Sequence, residues 1–401
     1  MNNSTELLAP AGDLEKLRTA LAFGADAVYL GTPDFSLRVG ENKFGISEIR
    51  QAIKICRAAK KKIYLTTNTF PRDSEFKKLE NFLAKLQATP PNAFIFSDLG
   101  VLATLQKFFP KVAKHLSVQA NSVNSRTVQM WRKLGVSRVI LARELSFAET
   151  KKIVAANPKM EFEVFVHGAI CMSYSGRCLL SNFLAGRDAN RGQCAQPCRW
   201  QYSLVEEKRP GEFFPIEEDA QGSYILNSRD LALIEKIPQL AKLGICSFKI
   251  EGRNKSLGYL ATITRAYRQA LDDCTAGRKF DPSLWREIRT TGNRDFTLGF
   301  FDGTLQNLQN FERSAAENPQ NFLGLVEKSL QGRILLMPKN HFKKGAKIEA
   351  MPPGGAIQKF QITKIFDEKL TEISEAHGGQ RSKVWLEISA ELPKFTLLRK
   401  C

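Results

Sequence analysis

Short apolar runs alternate with amphipathic stretches along the first two-thirds of the chain. The runs occupy 7–11, 27–31, 63–68, 93–98, 115–121, 139–143, 162–168 and, after a long gap, 248–253. Successive starts up to the seventh lie 20–36 residues apart, the length of one strand–helix unit. The runs are apolar throughout rather than alternating, as strands buried on both faces should be. Residues 14–23, 47–59 and 259–270 carry helical spacing, and Asp13 stands where the first helix needs an N-cap. Eight such units predict an α/β fold, a TIM-like (β/α)8 barrel. An open doubly wound sheet is the alternative, but no GxGxxG opens the first helix.

Polar residues collect where the runs end. Asn68, Asp98, Gln119, Asn121, Arg143, Glu144, His167, Glu251 and Arg253 each end or follow an apolar run. In a barrel those positions converge on the carboxyl-terminal rim, where active sites are built. The long gap between the seventh and eighth runs opens with HGAICMSYSGRCLLSNFLAGRDANRGQCAQPCRW, from His167 to Trp200. An insertion there, set at 168–224, would hang over that rim. It interleaves Arg177, Arg187, Arg191 and Arg199 with Tyr174, Phe183, Trp200 and Tyr202, a mixture suited to gripping phosphates and stacking on bases.

Beyond residue 281 the pattern changes. A helix-like stretch, 281–290, and an apolar run, 296–301, complete a first domain placed at 1–305. A polar linker, 306–320, leads to six short β-like runs within 321–401, separated by turns such as Pro352-Pro353-Gly354-Gly355. These predict a small C-terminal all-β domain, a β-barrel.

Charge and cysteines narrow the function. The chain of 401 residues has 59 Lys and Arg against 41 Asp and Glu, a net charge of +18. A polyanionic partner follows, because each neutralised phosphate releases counterions. No leader, lipidation motif or membrane-length apolar run stands out, so a cytoplasmic protein with no membrane association and no stable protein partner is expected. Reduced thiols are then the rule. Half of the eight cysteines, Cys171, Cys178, Cys194 and Cys198, fall in the insertion with the spacing C-x6-C-x15-C-x3-C. Structural zinc usually takes paired C-x2-4-C knuckles, and the first pair is too wide for one. Iron–sulfur clusters tolerate irregular spacing, so [4Fe–4S] is favoured and zinc is the alternative. The sequence contains no HExxH, no GxSxG and no phosphate-binding GxxxxGK[ST].

EVFVHGAICMSYSGRCLLSN, at 163–182, resembles the signature of the collagenase-like peptidase family of unassigned catalytic type. LLAPAG, GADAVYLG, LSVQAN, RVILARELS, RGQCAQPCRW and SFKIEGR resemble that family too, in the same order from Leu7 to about Phe301. Within it the chain is most similar to members that hydroxylate RNA. The resemblance implies 5-hydroxylation of the wobble uridine in the anticodon region of tRNA. It implies prephenate as co-substrate and a [4Fe–4S] cluster on the four cysteines. Prephenate carries two carboxylates, and Arg38, Arg143, Arg177 and Arg253 are the candidates to bind it. Asn68, Gln119 and Asn121 complete the substrate-binding set, and Glu144, His167 and Glu251 are the candidates for proton handling. Rival readings are a ribosomal RNA hydroxylase or a quinone-precursor hydroxylase of the same family. From other classes come a collagenase-like peptidase and a zinc or RNA-binding module.

Overall fold

A computed structural model describes residues 5–37, 44–171, 173–200, 204–205, 213–214, 228–292, 294–303, 308, 322–379 and 382–401. The expected linker and the second half of the insertion lie outside these residues, except for Leu308 and the short pairing of Leu204–Val205 with Phe213–Phe214.

Eight parallel strands form a closed barrel: β1 (Glu6–Ala11), β2 (Ala27–Gly31), β3 (Lys62–Thr67), β4 (Ala93–Phe96), β5 (Ala113–Leu116), β6 (Arg138–Ile140), β7 (Glu161–Ala169) and β8 (Ser247–Ile250). Each pairs with the next, and β8 pairs with both β7 and β1, which closes the ring. Strands buried on both faces explain the unbroken apolar runs. Leu7, Leu8, Val28, Leu30, Ile63, Leu65, Phe94 and Phe248 have no solvent exposure.

Helices α1 (Leu14–Ala22), α2 (Ile46–Ala58), α3 (Asp73–Leu86), α4 (Leu99–Phe108), α5 (Ser125–Lys133) and α6 (Phe147–Ala155) alternate with the first strands. Their starts are set by local chemistry. Asp13, Asp98, Asn124 and Ser146 each accept a hydrogen bond from a first-turn backbone N–H, satisfying donors the helix leaves unpaired. The 115–121 run is shorter as a strand than its sequence suggests. It ends at Leu116, and Val118–Ala120 forms a 3-10 turn that presents Gln119 over the rim.

After the insertion a short strand, Asp230–Ala232, runs antiparallel to the end of β7, with Leu231 opposite Gly168. Of the 296–301 run only Phe296–Thr297 is strand, and it joins Asp230–Ala232. Helix α7 (Leu180–Ala185) lies within the insertion. Helices α8 (Ile237–Lys242), α9 (Leu257–Thr275) and α10 (Ser283–Arg289) complete the first domain.

The C-terminal domain is antiparallel: β9 (Phe322–Leu330), β10 (Arg333–Leu336), β11 (Lys347–Met351), β12 (Gln358–Gln361), β13 (Lys364–Phe366), β14 (Glu372–Ile373), β15 (Val384–Glu387) and β16 (Leu397–Lys400). Their order is β12-β11-β16-β9-β10-β15-β13-β14. The stretch FQITKIF, expected as one strand, breaks after Gln361. Its halves pair towards opposite ends of the sheet, which curls the sheet around its own core. Phe322, Leu325, Met351 and Leu397 pack on Phe23, Leu257 and Ala261 of the barrel domain. Arg399 reaches across to Glu287 at 3.0 Å.

Candidate active site

The barrel interior is charged at both ends. At the amino-terminal end, Arg138 lies 2.8 Å from Glu6 and 3.2 Å from Glu163, while Tyr64 and Ser247 donate to Glu6 at 2.7 and 2.9 Å. Burial alone would raise the Glu6 carboxyl. Arg138, Tyr64 and Lys62 together outweigh that and hold it below its ordinary range. Lys249, in the middle of β8 and 3% exposed, makes an ion pair of 3.1 Å with Glu163. Burial pushes the Lys249 pKa down, and Glu163 opposes the shift.

Above this layer a cavity of about 180 Å³ opens between the strand ends and the insertion. Lys249, Tyr29 and Phe165 form part of its floor, and its walls include Asn68, Gln119, Arg143, Glu144, Glu251 and Arg253. Arg143 stacks on the Phe165 ring at 3.9 Å, donates to the Ala169 carbonyl at 2.7 Å and faces Glu251 at 3.8 Å. Arg253 donates to Ser36 Oγ at 2.9 Å and to the Leu37 carbonyl, and Asn68 accepts from the Leu37 N–H at 3.2 Å.

The insertion is fastened to the rim through Ser175. Its backbone N–H donates to Glu144 Oε1, and its hydroxyl lies 3.1 Å from Glu144 Oε2 and 2.9 Å from Asn121 Oδ1. Ser175 and Gly176 both adopt left-handed conformations, with φ of 49° and 77°. The φ of 77° favours glycine at 176, where an added Cβ would also stand 2.5 Å from the Gln119 side-chain nitrogen. Arg177 donates to the Gln119 carbonyl at 2.7 Å and sits over the Phe70 ring.

All four insertion cysteines line the cavity, and none is in a disulfide. Cys194 Sγ accepts the Gln196 N–H at 3.4 Å, and Cys171 Sγ lies 3.0 Å from Ser173 Oγ. Four sulfur donors lining one cavity, with a backbone N–H already aimed at one of them, fit the ligand chemistry of an iron–sulfur cluster. The wide Cys171–Cys178 pair fits it better than a zinc knuckle.

Four expected site residues need correction or separate placement. His167 does not line the cavity. A bulge in the β7–β8 pairing sets Phe165 opposite Lys249 but His167 opposite Ile250, which turns the imidazole outward. There it is buried among Tyr259, Tyr267 and Phe296, with Nδ1 3.3 Å from the Tyr267 hydroxyl. Burial drives its pKa down to about 3, so it is neutral near pH 7. Asn121 and Arg177 hold the insertion rather than facing the cavity. Arg38 lies outside the described residues. Conversely, Lys249, Tyr29, Phe165 and Ser175 belong to the site and escaped the reading of strand ends. The signal for Lys249 was present: a lone lysine inside the apolar run SFKI.

A closed barrel with a cysteine-bearing insertion above its rim defines the class, and family comparison gives it a name. The chain belongs to Peptidase family U32. The model of that family matches residues 12–310, and the model of the Peptidase family U32 C-terminal domain matches 318–399. The chain is 38% identical to tRNA hydroxylation protein P of Escherichia coli K12 over 96% of this chain and 94% of that protein. It is 34% identical to the 23S rRNA 5-hydroxycytidine C2501 synthase of the same organism, over 67% of this chain but only 39% of that enzyme. The Collagenase of Porphyromonas gingivalis W83 is 33% identical over 75% of this chain and 74% of its own length. Among the described residues no helix is long and apolar enough to cross a membrane.

Proposed function

We propose that this protein hydroxylates the wobble uridine of tRNA at C5, in the cytoplasm, with a [4Fe–4S] cluster and prephenate as co-substrate. One observation carries the reading: four soft thiols and three cationic side chains, Arg143, Lys249 and Arg253, line one cavity. Near end-to-end similarity to a tRNA hydroxylation protein favours tRNA over ribosomal RNA.

Cys171, Cys178, Cys194 and Cys198 would hold the cluster, which when bound supplies one-electron chemistry. The residues around it bind and orient. Arg143 and Arg253 offer planar guanidinium groups suited to bidentate carboxylate contacts, and Lys249 adds a buried charge beneath them. Glu251 lies on the cavity wall, half-screened by Arg143, where it can accept or return a proton. Glu144 is committed to Ser175, so its part is to fix the roof. The net charge of +18 draws the polyanionic substrate to the protein.

Nucleoside mass spectrometry of bulk tRNA from a deletion strain, lacking any redundant oxygen-dependent hydroxylase, tests the reading. Loss of 5-hydroxyuridine derivatives is expected, with recovery on re-expression. Unchanged levels would overturn it. Cys194→Ala is expected to remove iron and the modification together.

A further inference from the structure

We propose that His341, Glu375 and His377 form a binding site for one divalent transition-metal ion of the zinc class on the C-terminal domain. The site is remote in character from the cysteine cavity and independent of the RNA reading.

The placement follows from strand register. Phe342–Lys343 pairs antiparallel with Glu375–Ala376, with Phe342 opposite Ala376 and Lys343 opposite Glu375. One step further along, the same register brings His341 opposite His377. Residues directly opposite in an antiparallel pair share a face, and so do residues two apart on one strand. Glu375 therefore projects beside His377 and diagonally to His341. The imidazole rings stack with centroids 4.6 Å apart and planes 26° apart.

The three donor atoms are already close. His341 Nε2 lies 2.9 Å from Glu375 Oε2, His377 Nε2 lies 3.4 Å from Glu375 Oε1, and all candidate ligand atoms fall within 4.8 Å of one another. A tetrahedral zinc ion with bonds of 2.0–2.1 Å has ligand–ligand edges of about 3.3 Å. Both imidazole–carboxylate separations bracket that value. The two imidazoles meet different oxygens of Glu375, so binding one ion requires the exposed side chains to rotate onto a common point.

The backbone beneath is held in place. A Cβ on Gly378 would stand 2.4 Å from the Lys339 carbonyl oxygen, so the two ligand-bearing segments lie directly against each other. Lys339 N–H donates to the Leu323 carbonyl, and Asn340 Nδ2 donates to the Phe322 carbonyl, anchoring one segment to β9. Two imidazoles and a carboxylate, without a thiolate, suit zinc, nickel, copper or ferrous iron, and zinc, with no geometric preference of its own, accommodates an irregular donor set best. The three side chains are 37–49% exposed, which leaves the remaining coordination positions to water. Lys343 also contacts Glu375, at 3.4 Å, but its side chain is 68% exposed and can swing into solvent when a cation takes its place. Bound metal would cross-link the two segments close to the groove between the domains, where Lys339 and Asn340 face α9.

The test uses the full-length protein as isolated, dialysed against Zn2+ and assayed for zinc and iron. The His341→Ala/His377→Ala double variant is expected to retain one zinc equivalent per chain less than wild type, with iron unchanged. Equal zinc in both proteins would overturn the site. With Cu2+ as the probe, the electron paramagnetic resonance spectrum should show nitrogen coupling in wild type that the double variant lacks. The same coupling in both would place the copper elsewhere and reject the proposal. Glu375→Gln is expected to weaken Zn2+ binding by roughly tenfold or more. Unaltered affinity would remove the carboxylate from the ligand set. Because all three side chains sit at the surface, thermal unfolding curves of these variants should match wild type before metal is added.

Discussion

The barrel holds two charged layers a few residues apart, and they do opposite things with the same side-chain types. The lower layer, Glu6, Arg138 and Glu163, is spent on itself. Every carboxylate there has a cation or hydroxyl within 3.2 Å, and neither Glu6 nor Arg138 lines the cavity above. The upper layer, Arg143, Glu251 and Arg253, lines open space beneath four thiols. Arg143 and Glu251 stand 3.8 Å apart there. Contact with the cavity separates a binding wall from a structural plug. Lys249 belongs to both, with its stem in the plug and its ammonium between Glu163 and the cavity.

The largest expected effect tests the plug. Arg138→Met leaves Glu6 and Glu163 buried with too little compensation, and removing one partner of a buried pair typically costs about 3–5 kcal/mol. Urea unfolding should show a loss of that size. Arg143→Met, which lies at the rim and stacks on Phe165, should cost markedly less stability while abolishing tRNA modification. Equal destabilisation by the two substitutions would erase the distinction between the layers.

Lys249→Met probes the residue shared between them. Charge-assisted hydrogen bonds contribute about 1.5–3 kcal/mol, which corresponds to a rise of roughly 10- to 100-fold in KM for an anionic co-substrate. Glu163 keeps Arg138 in this variant, so the protein should stay folded. Unaltered KM with altered stability would assign Lys249 to the plug alone.

These residues also mark how far the sequence could be read. The strands were legible because both faces are buried, one under helices and the other in the barrel interior, which forces long apolar runs. The helix starts were legible because an N-cap is a short-range hydrogen bond between neighbours in the chain, as Asp13 to Lys16 shows at 2.8 Å. The rim was legible in part, since strand ends converge in any closed barrel. The Glu163–Lys249 pair was not, because it depends on which strands lie side by side and on side-chain parity within them. His167 failed for a related reason. Its place at a strand end is right, but a one-residue bulge in the pairing turned it away from the cavity. The break in FQITKIF is likewise a tertiary outcome, imposed by closing a small sheet around its core.

A third prediction uses His167 to sharpen the contrast between buried and rim groups. An ordinary histidine in the unfolded chain titrates near 6.5, whereas burial holds the folded pKa at about 3. Between these values the unfolded chain binds a proton that the folded protein refuses. Stability from this residue is therefore complete above pH 6.5 and falls as pH drops towards 3, by at most about 1.4 kcal/mol per unit. The stability advantage of wild type over His167→Phe should shrink between pH 7 and pH 5, by about 2 kcal/mol at most. A pH-independent difference would mean that the imidazole titrates normally. Because His167 lies outside the cavity, the folded variant should still modify tRNA.

The smallest effect concerns how the roof is attached. Arg191 in the insertion reaches Glu75 of α3 at 2.7 Å, the kind of contact that looks like an anchor. Both side chains are substantially exposed, at 43% and 30%, and pairs of that kind contribute only about 0.2–1 kcal/mol. The stronger attachments are the partly buried ones, Ser175 to Glu144 and Asn121, and Arg177 to the Gln119 carbonyl. Arg191→Ala should therefore shift the urea midpoint barely, and raising salt should have the same small effect on wild type. Ser175→Ala removes a hydroxyl from a nearly dry contact and should loosen the roof more, seen as faster loss of iron to a chelator. If Arg191→Ala released iron as fast as Ser175→Ala, the roof would be held from its outer edge, and the division between buried attachments and surface pairs would fail there.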